Sequence, residues 1–221
     1  MHDMGMNEDH SSQKGDNHPQ RHEAILLIGP TGSGKTPLGD EIAGRGWQAR
    51  QAVHFDFGEN LRNAVERGTA DDCLTEADIS FLREVLVSGA LLENEKFSIA
   101  ERMFRSFLAR HETADDAVIV LNGLPRHVGQ AQAMAAWVNV RRVVYLACSD
   151  DVVFARIARD TGGDRAGRDD DETGQVRRKL ETFRGRTAQL LDHYEQKGAS
   201  ILTIQVTEAM TAGDMWDVLW Q

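Results

Sequence analysis

A glycine-rich turn between an apolar segment and a helical segment constrains the fold of this chain more than any other feature. Residues 24–28 form a short, continuous apolar run, which is typical of a strand buried within a parallel sheet. Residues 29–36 then read Gly-Pro-Thr-Gly-Ser-Gly-Lys-Thr, and helical sequence follows from Pro37. This spacing is that of a P-loop, in which backbone N–H groups curl around phosphate oxygens. The segment therefore predicts a strand–loop–helix unit that binds phosphate, because a glycine-rich turn without a ligand does not require this setting.

The residues of the loop have distinct predicted roles. Backbone contacts to the phosphates are expected from Gly29, Gly32, Ser33 and Gly34. Lys35 is expected to place its ammonium against the β- and γ-phosphates, and the Thr36 hydroxyl to face Mg²⁺. ATP and Mg²⁺ are thus the expected cofactors, although a P-loop alone does not separate kinases from switch GTPases or ATP-driven machines.

Strand and helix patterns alternate along the rest of the chain. Further strands are predicted near residues 52–55, 117–121, 143–147 and 201–206, with helices over 59–66, 76–88, 95–111, 150–159, 175–196 and 210–219. Such alternation predicts an α/β fold, a three-layer P-loop domain in which a five-stranded parallel sheet carries helices on both faces. The length of 221 residues fits one domain of this kind, expected over residues 23–221.

The first 22 residues differ in composition from the remainder. Their only apolar side chains are three methionines, so the segment 1–22 cannot bury enough surface to offset its ordering entropy and is expected to be a disordered tail. Four of the eight histidines lie here, but their irregular spacing favours a plain tail over a metal-binding one.

Charge and cysteine content narrow the class of protein. A net charge of −10 argues against nucleic acid as a partner, and small-molecule nucleotides are expected instead. The two cysteines lack a metal-ligand spacing and suit a reducing compartment. No apolar stretch approaches the roughly 20 residues of a membrane helix, and no secretory h-region follows the N-terminus. A cytoplasmic monomer without membrane contact is the default expectation.

A second set of motifs resembles one family. The strand near 117–121 runs into Asn122-Gly123-Leu124-Pro125-Arg126, with Gln130 four residues on, and this resembles the Asp-Gly-Phe-Pro-Arg…Gln signature of adenylate kinase and its nucleoside monophosphate kinase relatives. Residues 56–62 resemble the Ser-Thr-Gly-Asp-Leu-Leu-Arg segment of the family's acceptor site. Weaker matches follow the family order at residues 88–92, 156–159 and 167–171. The resemblance spans about residues 24–207.

The resemblance implies a reaction and an organisation. The reaction would be transfer of the γ-phosphoryl group of MgATP to a nucleoside monophosphate, by positioning and charge neutralisation without a catalytic base. The organisation would include a helical acceptor-binding insertion near residues 57–92 and a short lid near residues 160–174. AMP would be the favoured acceptor, because the amide of Gln130 suits adenine; CMP or UMP would follow if the Phe57 ring fills the pocket and admits only a smaller pyrimidine.

The resemblance also assigns roles to single residues, since arginine pairs bidentately with phosphate. Arg62 and Arg126 would hold the acceptor phosphate, and Leu92, Gly123 and Gln130 would line the acceptor pocket. Arg156 would pack on the donor base, while Arg159 and Arg168 would reach the donor phosphates. The residues expected to act in catalysis are Lys35, Arg126, Arg156 and Arg168.

Departures from the family pattern leave two alternatives open. Asn122 stands in place of an aspartate and could reach Mg²⁺ only through a water; Phe57 removes a hydroxyl; and Lys179, beside Arg178, falls where a lid-helix arginine is expected. These departures motivate a nucleotide-binding sensor with impaired catalysis. The other alternative is a P-loop kinase of a small non-nucleotide metabolite, similar to shikimate or gluconate kinases, in which Asp56 would accept a hydroxyl proton.

Overall fold

The computed structural model describes residues 21–68, 73–165 and 173–220, which contain one five-stranded sheet. All paired strands are parallel, and their spatial order is β2-β3-β1-β4-β5. The strands are β1 (His22–Ile28), β2 (Ala52–Asp56), β3 (Val118–Asn122), β4 (Val138–Ala147) and β5 (Ser200–Gln205). The predicted fold class is confirmed.

Helices connect these strands. They are α1 (Lys35–Arg45), α2 (Phe57–Arg67), α3 (Glu76–Ser88), α4 (Phe97–Arg110), α5 (Val128–Met134), α6 (Asp150–Arg159), α7 (Thr173–Thr182), α8 (Gln189–Gln196) and α9 (Ala212–Val218). A 3₁₀ turn, Asn94–Lys96, precedes α4, and a π-helical turn, Phe183–Thr187, separates α7 from α8. No helix in the described parts of the chain is long and apolar enough to cross a membrane.

The sheet separates two cores because alternate side chains of a strand point to opposite faces. On β1, Leu26 and Ile28 belong to one core, while Ile25 and Leu27 belong to the other. The first core contains buried residues of α2, α3, α4, α5 and α8, and the second contains those of α1 and α9. The uninterrupted apolar run that predicted a buried strand reflects this burial on both faces.

Two predicted strand starts and two predictions about helices need correction. Strand β1 begins at His22, so the last residue assigned to the tail pairs in the sheet opposite Val138. Strand β4 begins at Val138, five residues before the predicted start, because Asn139, Arg141 and Arg142 interrupt its apolar pattern. Helix α5 was not predicted. The predicted helix over residues 175–196 is broken by the π-helical turn, in which the Ala188 N–H donates to the Phe183 carbonyl at 2.9 Å.

The carboxyl ends of the three neighbouring strands β2, β3 and β1 define where a ligand can bind. The register places Asp56 opposite Asn122, and Asn122 opposite Leu27, so three strand ends meet at one edge of the sheet. The chain passes from β1 through α1 to β2, leaving room for β3 between them. Crevices at such reversals of strand order bind ligands in open parallel sheets.

Candidate active site

The P-loop occupies the end of β1, and its glycines are required by space and backbone conformation. A Cβ atom on Gly29 would lie 2.7 Å from Ser33 Oγ and 2.9 Å from the Leu146 carbonyl oxygen. Gly32 and Gly34 have φ values of +74° and +96°, the left-handed region that side chains disfavour. Ser33 is fully buried, and its hydroxyl has no partner among the described residues. The loop is therefore shaped by backbone geometry, which is the requirement for cradling phosphate oxygens.

Lys35 begins α1 and folds back over the loop. Its Nζ donates hydrogen bonds to the carbonyls of Gly29 at 2.9 Å and Pro30 at 2.6 Å. Burial, followed by the nearby Arg126 guanidinium, lowers the pKa of Lys35 from 10.5 to about 8, and Asp56 opposes this shift. A phosphate group would supply the negative charge that this ammonium lacks, so the lysine is prepared for an anion.

A hydroxyl, a carboxylate and an amide converge beside the loop. Thr36 Oγ1 donates to Asp56 Oδ2 at 2.6 Å, and Asn122 Nδ2 donates to the same oxygen at 2.7 Å. Asn122 Nδ2 also lies 3.1 Å from Thr36 Oγ1. Hard oxygen ligands of this kind suit Mg²⁺, which keeps several waters and needs few protein ligands. The Thr36 hydroxyl and the Asp56 carboxylate fit the expected ion, whereas Asn122 directs its Nδ2 donor at both of them. No cluster of three or more His, Cys, Asp or Glu offers another site within the described ranges.

One cleft brings the P-loop together with all five predicted acceptor residues. Of the predicted site residues, the cleft is lined by Gly29, Gly32, Gly34, Lys35, Thr36, Arg62, Leu92, Asn122, Gly123, Arg126 and Gln130. Its far end is apolar, with Phe57, Leu61, Val85, Leu86, Leu91, Leu124 and Phe183 in the lining. The cavity therefore has a phosphate-binding end at the P-loop and an apolar end.

Gln130 joins two segments of the acceptor end. Its Nε2 donates to the Leu92 carbonyl at 2.7 Å, and its Oε1 accepts from the Arg126 N–H at 2.6 Å. The side chain is only 1% exposed. These two hydrogen bonds let the Gln130 amide hold the backbone of Arg126, whose half-buried side chain lines the cleft. The predicted contact of Gln130 with the acceptor base stays a prediction.

The π-helical turn adds ties that the sequence did not reveal. Arg186 donates to both carboxylate oxygens of Glu93, at 2.6 and 3.1 Å, and Thr187 Oγ1 donates to the Arg126 carbonyl at 2.9 Å. Arg186 also contributes, after burial, to lowering the pKa of Arg126. Glu93 directly follows Leu92, so the π-helical turn is hydrogen-bonded to two segments of the acceptor end, the one that contains Leu92 and the one that contains Arg126. No motif marks Glu93, Arg186 or Thr187, since their contact joins segments far apart in sequence.

Two basic residues, Lys179 and Arg165, line the lid side of the cleft. The sequence left open whether Lys179 or Arg178 takes the place of the lid-helix arginine, and it did not predict Arg165. Lys179 lines the cleft, whereas Arg178 is exposed and donates to the Gly174 carbonyl on its own helix at 3.4 Å. Arg165 also lines the cleft, with Nη2 at 3.3 Å from Thr31 Oγ1 of the P-loop. Arg168 and the rest of the family match at residues 167–171 lie outside the described residues. The proximity of Arg165 to Gly167 was the available signal for it.

The two arginines of α6 make hydrogen bonds within the protein that the resemblance did not imply. Arg156 is 2% exposed, and its guanidinium donates to the carbonyls of Gly32, Thr207, Glu208 and Met210 at 2.7–3.3 Å. It therefore fastens the P-loop to residues 207–210. Arg159 is not among the described cleft-lining residues and pairs with Glu208 at 2.6 Å on the surface. The predicted contacts of both arginines with the donor nucleotide stay predictions.

Comparison with known proteins decides the family. A family model described as an AAA domain matches residues 28–177. An adenylate kinase of Parasynechococcus marenigrum (strain WH8102) is 31% identical over 179 residues, covering 79% of this chain and 85% of the relative. The chain belongs to the adenylate kinase and nucleoside monophosphate kinase family. Adenylate kinases of Xanthomonas campestris pv. campestris (strain B100), 31% identical over 79% of this chain and 86% of the relative, and of Synechococcus sp. (strain RCC307), 29% identical over 79% and 85%, agree with this assignment.

Membership of this family fixes the type of enzyme. The protein is an ATP-dependent phosphotransferase, a nucleoside monophosphate kinase with a P-loop. The similarity covers most of both chains, so it includes the P-loop end and the acceptor end of the cleft rather than the P-loop alone.

Proposed function

We propose that this enzyme transfers the γ-phosphoryl group of MgATP to AMP. The observation that carries the proposal is the cleft itself, in which Lys35 and Thr36 of the P-loop and Arg62 and Arg126 of the acceptor segments line one cavity. The names of the relatives, which are adenylate kinases, support AMP among the possible acceptors.

In the proposed reaction the protein positions two anionic groups and neutralises their charge. The P-loop amides and Lys35 hold the donor phosphates, and Arg62 and Arg126 hold the acceptor phosphate in line with them. When bound, Mg²⁺ supplies positive charge to the donor phosphate oxygens. Lys179 and Arg165 also line the cleft, with Arg165 beside Thr31 of the P-loop, and they would add positive charge as the group moves. The acceptor phosphate is already anionic, so no base is required.

The acceptor base is proposed to bind at the apolar end of the cleft. Phe57 is buried and packs near Phe55, with ring centroids 6.4 Å apart, so it belongs to the core while contributing to the cleft lining. Leu61, Leu86 and Phe183 provide further apolar surface for a purine. Because the Gln130 amide already has two protein partners, selection of adenine relies on the shape of this end more than on that amide.

A kinase of a hydroxylated metabolite is the second candidate, since the Asp56 carboxylate lines the cleft. Its oxygens accept hydrogen bonds from Thr36, Asn122 and the Glu59 N–H, at 2.6, 2.7 and 3.0 Å. These three donors direct the carboxylate oxygens at groups of the protein itself, so they are not oriented toward the hydroxyl of an acceptor. The arrangement therefore favours an acceptor that needs no deprotonation.

The test is a coupled assay of ADP formation with AMP, GMP, CMP, UMP, shikimate and gluconate as acceptors. We expect the highest kcat/KM for AMP, by about tenfold or more over the other monophosphates, which corresponds to about 1.4 kcal/mol of discrimination. Turnover with another monophosphate only would replace AMP as the acceptor. Turnover with a sugar acid only would support the second candidate, and ATP binding without any turnover would indicate a sensor.

A further inference from the structure

The charged and uncharged residues at the ends of β2 and β3 are interchanged relative to the family motifs that this sequence resembles. The signature that residues 122–126 resemble begins with an aspartate, and here that position is Asn122. The segment that residues 56–62 resemble begins with a serine, and here that position is Asp56. The sheet register pairs the two residues directly, because Asp56 lies opposite Asn122 in the β2–β3 ladder. A carboxylate absent from the end of one strand is therefore present at the end of the next.

The geometry directs this carboxylate to the P-loop hydroxyl. Asp56 Oδ2 accepts from Thr36 Oγ1 at 2.6 Å and from Asn122 Nδ2 at 2.7 Å. The Thr36 proton is therefore directed at Asp56, and because the hydroxyl oxygen also accepts from Asn122 Nδ2 at 3.1 Å, one of its two lone pairs remains available to a cation. Asn122 acts as a donor in this network, so its amide holds the carboxylate in place and does not replace it.

The carboxylate is fixed in orientation and largely buried where it lines the cleft. Asp56 is 6% exposed, and its second oxygen, Oδ1, accepts from the Glu59 N–H at 3.0 Å as the N-cap of α2. The Asn60 amide donates to the Asp56 carbonyl at 2.8 Å. The carboxylates among the described cleft-lining residues are those of Asp56 and Asp164, and that of Asp56 accepts a hydrogen bond from the P-loop hydroxyl of Thr36.

We propose that Asp56 is the carboxylate that positions Thr36 and supplies the negative charge at the Mg²⁺ site, in place of a carboxylate at the end of β3. This inference rests on the proposed use of MgATP. Asp56 acts through Thr36 and is thus a positioning residue. Residues of this kind typically contribute about 10–100-fold to metal affinity.

The experiment measures metal binding without catalysis. Mn²⁺ serves as the probe, and its dissociation constant from the complex of the protein with a non-hydrolysable ATP analogue is followed by electron paramagnetic resonance. Asp56→Asn should weaken Mn²⁺ binding by about tenfold or more. The affinity for the analogue in EDTA should change by less than about twofold, because the P-loop amides are untouched. Asparagine is as good an N-cap as aspartate, so α2 keeps its cap.

A transposed variant tests the exchange of charge itself. Asp56→Asn combined with Asn122→Asp returns the carboxylate to the end of β3, next to the same hydroxyl, and should restore Mn²⁺ affinity to within about threefold of the unmodified protein, well inside the tenfold loss of the single variant. Glu59→Gln is the matched control, because it makes the same chemical change at an exposed residue outside the cleft lining, and Mn²⁺ affinity should not change.

Three results would overturn the proposal: unaltered Mn²⁺ affinity in Asp56→Asn, an equal loss of analogue affinity in EDTA, or a folded transposed variant that does not regain Mn²⁺ affinity. If Asp56→Asn alone does not fold, the transposed variant decides by itself. No acceptor is present in these measurements. A failure of the acceptor assay would therefore remove the proposed function without altering this result.

Discussion

The two ends of the cleft are built differently. The donor end is one continuous segment, residues 29–36, in which glycines and backbone geometry form the site. The acceptor end is assembled from segments far apart in sequence, held by the Gln130 amide and by the Arg186–Glu93 ion pair. A local motif therefore specifies the first, whereas long-range contacts specify the second. Substitutions at the donor end should affect catalysis alone, and those at the acceptor end should affect stability as well.

The largest effect is expected from Lys35→Ala. Turnover should fall by about 10²–10³-fold, as when one preorganised electrostatic contact is removed. The melting temperature should not fall, because the substitution removes an ammonium whose pKa is already lowered by burial. Coupled kinetics and circular dichroism provide the two measurements, with the exposed Lys197→Ala as the control. A folded Lys35→Ala enzyme with normal turnover would contradict the proposed role of Lys35 in holding the donor phosphates.

At the acceptor end, Phe57→Thr should destabilise the protein. Phe57 is 7% exposed and belongs to the core that contains Phe55 and Leu61, so truncation leaves a cavity and lowers the free energy of unfolding by about 3 kcal/mol. Urea denaturation checks this, and Val87→Thr is the control because Val87 is 83% exposed. An unchanged free energy of unfolding would mean that Phe57 serves the cleft and not the core.

Gln130→Ala separates a structural role from recognition of the base. The Arg126 N–H and the Leu92 carbonyl would each lose their partner, which should lower the free energy of unfolding by about 1–3 kcal/mol. Activity with every monophosphate should fall together. Gln132→Ala, on the exposed side of the same helix, is the control. A variant of normal stability with a raised KM for AMP alone would restore the predicted role of Gln130 in reading adenine.

The pKa of Lys35 makes donor binding depend on pH. The free site has a pKa of about 8, and a bound phosphate raises it, because it favours the charged ammonium. Nucleotide binding should therefore take up a proton above this pH, and affinity should fall by up to about tenfold per pH unit. Calorimetry at about pH 7 and about pH 9 measures this effect on either side of the lysine's pKa. Lys35→Arg should remove the dependence, since guanidinium stays charged. A flat profile in the unmodified enzyme contradicts the assignment.

The smallest effect is expected from Arg159→Ala. Arg159 and Glu208 form an exposed pair, with side chains 65% and 45% exposed, and such pairs contribute about 0–1 kcal/mol. Turnover should stay within about twofold of the unmodified enzyme, which is under about 0.5 kcal/mol. Arg165→Ala is the matched comparison, because Arg165 lines the cleft and should lower turnover more. The reverse order would show that Arg159 reaches the donor phosphates.

The sequence predicted the elements whose signals are local. The P-loop, the five strands and α6 follow from apolar runs and glycine spacing, which depend on neighbours within a few residues. Helix α5 was not predicted because its seven residues, Val128–Met134, are too few to show the periodic apolar pattern of a helix. The exposed start of β4 escaped because polar residues interrupt it.

Roles of single residues were harder to predict than elements. Asp56 and Asn122 lie 66 positions apart, and only the β2–β3 register brings them together. The family resemblance places Arg156 at the donor base, but the sequence does not reveal that its guanidinium also donates to the carbonyls of Thr207, Glu208 and Met210, about 50 positions further along the chain. Motif comparison identifies which residues surround the cleft, whereas tertiary packing decides what each contacts.

The π-helical turn Phe183–Thr187 sets the rotational phase between the lid-side helix α7 and α8. A π turn contains one more residue than an α-helical turn, and one residue corresponds to about 100° of rotation about the axis. The Lys179 side of α7 faces the cleft while Leu190 and Tyr194 of α8 stay in the core. If the turn lacked the extra residue and α8 kept its packing in the core, α7 would be rotated. Lys179 would then point away from the cleft, and a different side chain of α7 would point into it.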